Sequence, residues 1–102
     1  MYMINEENVT NIIEDMKKLH INDTAIYKCW DQLIEEFKNV NDTIIFLDTC
    51  TEEEAGWISS IFDDLAHKFQ SSDYAKCLKR LNKKYPGIEM SLDIKIAESY
   101  IT

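Results

Sequence analysis

Ile44-Ile45-Phe46-Leu47, lying between the polar turn Asn39–Asp42 and Asp48, is the stretch on which the fold class turns. Four apolar residues read equally as a short buried strand or as one and a half turns of helix, since so short a run has no usable period. A lone buried strand would leave its N–H and C=O groups unpaired, and no second β-rich segment exists to pair with it. The stretch is therefore predicted helical. Composition agrees: 2 Gly and 1 Pro in 102 residues leave few positions for tight hairpins and favour helices joined by polar turns.

Working outward, Val9, Ile12, Ile13 and Met16 recur at helical spacing. Glu6 and Glu7 lie early in this run and Lys17 and Lys18 late, as a helix dipole prefers, so a helix is expected over about residues 5–19. Asn22-Asp23-Thr24 offers caps for a second, about 23–38, carrying Ile26, Trp30, Leu33, Ile34 and Phe37. Thr51-Glu52-Glu53-Glu54 has the form of a capping box and opens one further helix, with Ile58, Ile61, Phe62, Leu65 and Phe69 on one face. At 100° per residue Glu53, Asp63, Asp64 and His67 fall on the opposite face, and Trp57 on the flank, either packed on a neighbour or half exposed as an anchor. Ser71 or Ser72 caps a fifth helix with Tyr74, Cys77, Leu78, Leu81 and Tyr85 inward, ending at Pro86-Gly87. Its late basic residues are expected to complement the helix end and pair with the acidic helices. Ser91 caps a last helix, about 91–101, with Ile94, Ala97 and Ile101 inward and Met90 as part of a hydrophobic staple. The expectation is an all-α, compact single-domain bundle of five to six helices spanning 1–102.

The apolar fraction, 45% with 11% aromatic, suffices for one core at a size where folding buries about 60–70% of the unfolded surface. Net charge is −8, which speaks against direct contact with nucleic-acid phosphates or anionic membranes. The imbalance is uneven: residues 1–75 hold 16 acids against 5 bases, and 76–102 hold 3 against 6. Such asymmetry suits a partner with a basic surface, or serves solubility alone. Three cysteines without C-x-x-C spacing fit neither a disulfide framework nor a zinc knuckle, and point to a reducing cytoplasm. The first residues lack a basic segment followed by an apolar one, and no run approaches a membrane span, so neither export nor anchoring is expected.

Catalytic patterns are absent from the sequence. There is no G-x-S-x-G and no Gly-rich phosphate loop, and two glycines do not make a dinucleotide fingerprint. Asp63 and His67, four apart, would orient a base or offer two metal ligands, but the third ligand is missing and a surface pair is the plainer role. His20 falls at the end of the first helix, where an imidazole stabilises the last carbonyls. Cys29 and Cys77 lie along apolar stripes as small core residues. Cys50 precedes a helix N-terminus, which lowers a thiol pKa, although Glu52, Glu53 and Glu54 oppose the thiolate. Asp48 through Glu54 lacks the alternating acids and central Gly of a calcium loop. No metal, no cofactor and no enzymatic activity are expected.

The run from Trp57 to Ser71, followed by Leu78-x-x-Leu81-x-Lys83-Lys84-Tyr85-Pro86 and Asp93-Ile94, resembles small bacterial immunity proteins, most of all those that neutralise ribonuclease toxins of contact-dependent growth inhibition. The resemblance covers about residues 50–100. It implies a cytoplasmic, non-enzymatic inhibitor that binds one cognate toxin tightly and blocks its active site or substrate path. Charge agrees independently: a nuclease presents cations to phosphates, and an acidic protein can fill the same cleft. The candidate partner-binding residues are Asp48, Glu52, Glu53, Glu54, Asp63 and Asp64, with Trp57 as aromatic anchor. The other readings are an acidic helical adaptor with no toxin partner and, more remotely, a small hydrolase centred on His67 and Asp63.

Overall fold

A computed structural model describes residues 2–20 and 22–101; the expected domain limits 1 and 102, and position 21, lie outside them. Seven α-helical segments and no strand occur among the described residues: α1 (Glu6–Lys18), α2 (Ala25–Glu36), α3 (Val40–Thr49), α4 (Glu52–Ile58), α5 (Phe62–Phe69), α6 (Ser72–Lys84) and α7 (Ser91–Ser99). The chain is an all-α bundle around one core, with a radius of gyration of 12.8 Å, near the value for a compact chain of this length.

The deciding stretch is helical, and the reason lies just before it. Asn39 caps α3, its side-chain oxygen accepting from Asp42 N at 2.8 Å while its amide donates to Asp42 Oδ2 at 2.9 Å. What reads as a polar turn is thus the cap and first turn of the helix. Asp42 Oδ2 also accepts from Met3 N at 2.8 Å, tying the chain start to α3, and these hydrogen bonds, Asn39 first and Met3 second, hold the Asp42 carboxyl below its usual range. Phe46 and Leu47 then enter the core, and Ile45 points outward.

The helix expected from Thr51 to Phe69 is not continuous. A 3-10 turn, Ser59–Ile61, separates α4 from α5. Three residues wound at about 120° each in place of 100° rotate everything after them, so the face reckoned from Glu53 does not continue to Asp63. The apolar face survives because Ile58, Ile61, Phe62 and Leu65 are all fully buried across the break. The capping box at Thr51 and Glu54 forms as expected, and Ser71 caps α6 through Tyr74 N. The expected Ser91 cap does not form: Ser91 is the first residue of α7, and Met90, wholly buried, occupies the cap position without a side-chain bond.

α1 packs on α2, α3 on α6, and α7 on both α5 and α6. Buried Tyr74 donates its hydroxyl to the Phe62 carbonyl at 3.0 Å, fixing the start of α5 to α6. Tyr85 donates to the Cys50 carbonyl at 2.7 Å. Lys68 reaches across from α5 and donates to the Ile34 and Phe37 carbonyls, at 3.1 and 2.9 Å, and so helps to satisfy the carbonyls at the end of α2.

Candidate functional site

The seven residues singled out from the sequence do not form one patch. Asp48 lies near the end of α3, not at the start of the next helix, and its carboxylate takes a two-point bond from Arg80 of α6, Nε at 3.2 Å and Nη2 at 3.0 Å. Lys84 donates to the Asp48 carbonyl at 3.0 Å. Asp48 therefore joins α3 to α6. Glu54 is engaged in the capping box, accepting from Thr51 N at 2.9 Å. Glu53 is ion-paired with Lys17, which also holds Glu14, so it bolts α4 to α1. Glu52 stays exposed, close to the turn at Gly87.

Trp57 is half buried and forms the ridge between two clefts. One, about 320 Å³, is lined by Met16, Leu19, His20, Ile26, Trp30 and Ser60 as well. The buried Trp30 Nε1 beside it makes no hydrogen bond among the described residues. The other, about 450 Å³ and more open, is lined by Glu52, Glu53, Gly56 and Ile88 as well. The one indole thus packs against neighbours and lines both clefts.

Asp63 and Asp64 belong to a different surface. Asp64 interacts with Asp63 and with Asp31 of α2, and burial followed by these two like charges raises its carboxyl pKa. Asp93 of α7 is raised too, by burial and then by Asp63. Four carboxylates from α2, α5 and α7 thus interact with one another, and none of the four forms an ion pair among the described residues. Cations are engaged elsewhere: Lys17, Lys79 and Arg80 in ion pairs, Lys68 and Lys84 on backbone carbonyls.

His67 and Asp63 make no ion pair among the described residues; the imidazole instead lies edge-on to Tyr100 at 6.1 Å. No three His, Cys, Asp or Glu side chains among the described residues converge to hold a metal ion. Of the opposing influences expected at Cys50, those against the thiolate prevail: burial and then Glu54 push it up to about 11. Burial and Asp48 push Cys77 up to about 12. All three cysteines are buried free thiols. No described helix is long and apolar enough to cross a membrane.

One surface escapes the sequence reading. α7 buries Ile94 and Ala97 as expected, yet its outward side carries Leu92, Ile96 and Tyr100, which are 69%, 41% and 46% exposed. Their spacing of four was a legible signal, because a helix with apolar residues on both sides has more than the core to cover. The chain matches no family model, no curated protein and no solved structure.

Proposed function

We propose that this protein is a binding protein for a basic macromolecular partner, and that the partner is a nuclease-type toxin that it neutralises. The supporting observation is the group of Asp31, Asp63, Asp64 and Asp93, drawn from three helices, which repel one another and form no ion pair among the described residues, while the lysines and arginine engaged in ion pairs lie elsewhere. Asp63 and Asp64 in the first turn of α5 and Asp93 in that of α7 suit the helix dipoles, but their mutual repulsion opposes folding, and a cationic surface laid over them would convert that repulsion into attraction. The same opposition of charge would speed encounter with the partner, a requirement for any antidote. This inhibitor would act in the cytoplasm, without a cofactor and without turnover of its own, by covering a basic cleft.

The test is RNA cleavage by the toxin domain encoded beside the protein, with and without an equimolar amount of it, and gel filtration of the mixture. The expected outcome is protection and a stable complex, both weakened by reversing Asp63 and Asp64 to lysine. Absence of protection and of complex would sink the toxin reading. Protection unchanged by the two reversals would remove this acidic group from it.

A further inference from the structure

The outward side of α7 is apolar where the fold has no use for it. Leu92, Ile96 and Tyr100 recur every four residues, so they form one continuous strip along the helix, while Ile94 and Ala97 already satisfy the core from the other side. Large exposed apolar residues also occur on α2 and α3, but there as single residues, Tyr27 and Ile45; isolated cases are ordinary on protein surfaces, and contiguous strips are not.

What lies beside the strip identifies its occupant. α5 and α7 run side by side in the same direction: Asp63 interacts with Asp93 near their starts, and His67 meets Tyr100 near their ends, where Gln70 Nε2 also donates to the Tyr100 carbonyl at 2.6 Å. The strip is thus bordered by Asp93 and, across from it on α5, Asp63, against which α7 sets one cation, Lys95. We infer that Leu92, Ile96 and Tyr100, edged by Asp63 and Asp93, are the docking surface for a basic protein partner that covers the three apolar side chains and sets its cations on the carboxylates.

An apolar centre with a charged edge is the usual anatomy of a protein interface. A second copy pairing α7 with α7 is the wrong occupant, because that face offers the first copy's carboxylates one cation, Lys95, and brings acids of its own. The inference rests on the reading of the protein as a binder of a basic partner, and not on that partner being a toxin. It also relocates the anchor from Trp57 to α7.

The probe is a short amphipathic helix of leucine and lysine, titrated into isotope-labelled protein and followed residue by residue by NMR, with a leucine/glutamate helix as control. The lysine peptide should shift the amides of residues 92–100 and 63–67, and the glutamate peptide should not. Leu92→Ser and Ile96→Ser, both at exposed positions, should each weaken the lysine peptide by about tenfold or more without lowering the melting temperature. Shifts that fall only on the Trp57 clefts, equal response to the two peptides, or a dimer in light scattering that Ile96→Ser dissolves would each overturn the inference.

The same variants separate it from the toxin reading. If the lysine peptide docks on α7 but the neighbouring toxin is not inhibited, the surface stands and the toxin falls. If the toxin is inhibited equally by wild type and by both serine variants, the toxin stands and the surface falls.

Discussion

Replacing Tyr74 by phenylalanine isolates the bond that fixes the bent α4–α5 unit to α6. The side chain is wholly buried, its hydroxyl donates to the Phe62 carbonyl at 3.0 Å, and its ring packs edge-on to Phe69. Phenylalanine keeps the ring and removes only the hydroxyl, so at pH 8 the loss should be about 1 kcal/mol. The pH dependence is the sharper test. Burial raises the Tyr74 pKa well above its ordinary value of 10.0, so above that pH the unfolded chain releases the phenolic proton while the folded chain keeps it. The stabilising contribution is therefore complete below about pH 10 and is lost as pH rises further, at about 1.4 kcal/mol per unit. Wild type should start more stable than Tyr74→Phe and fall below it, the two curves crossing between about pH 10.5 and 11. Urea unfolding of both proteins in steps from pH 8 to about 11.5 reads this directly, and taking their difference cancels the other alkaline groups. Two parallel curves, separated by the same amount at every pH, would refute the buried, protonated hydroxyl.

Two further outcomes follow from the carboxylates and the thiols. Asp64→Asn should raise the melting temperature slightly at pH 7 and low salt. A carboxyl whose pKa is raised by burial, Asp63 and Asp31 opposes folding above its unfolded value, and that opposition vanishes as pH falls through the folded value; the gain should also shrink at high salt, and a loss of stability at neutral pH would contradict it. For the cysteines, with Cys50 near 11 and Cys77 near 12, an aromatic disulfide reagent at pH 8 should find neither thiol in the folded protein and all three cysteines in urea. Rapid native labelling at Cys50 would show it to be accessible.

The helices were legible where a single period holds. Val9, Ile13 and Met16, or Tyr74, Cys77, Leu78 and Leu81, are buried as their spacing predicts, since nothing but the core decides their placement. Sequence reading failed where two local rules competed. From Thr51 to Phe69 the apolar residues fit one continuous helix, but Ser59 donates its hydroxyl to the Gly56 carbonyl at 2.7 Å and Ser59–Ile61 tightens into a 3-10 turn. That local change moved Asp63 and Asp64 away from Glu53. The fates of Asp48 and Glu53 were illegible for another reason: their partners, Arg80 and Lys17, lie 32 and 36 residues away in sequence, so only the packing of helices reveals that these acids are bolts. α7 was half legible, because attention to the inward residues Ile94 and Ala97 hides an equally regular outward series.

Gln70 shows how the turn between α5 and α6 supports that outward series. It ends α5 in the left-handed conformation, with φ 49° and ψ 43°, a position that favours glycine by about 1 kcal/mol or more. Glycine would relieve the backbone but would have no side chain. The glutamine amide donates to the carbonyls of Ala66, His67 and Tyr100, so one side chain closes the end of α5 and holds the last turn of α7 against it. Tyr100 also rests its ring on His67. The backbone cost at Gln70 thus returns as a fixed position for one end of the Leu92–Ile96–Tyr100 strip. A surface that must meet a partner without first ordering itself gains affinity from such restraint, which makes a glutamine at a glycine's place intelligible as part of the docking surface and not as a defect of the turn.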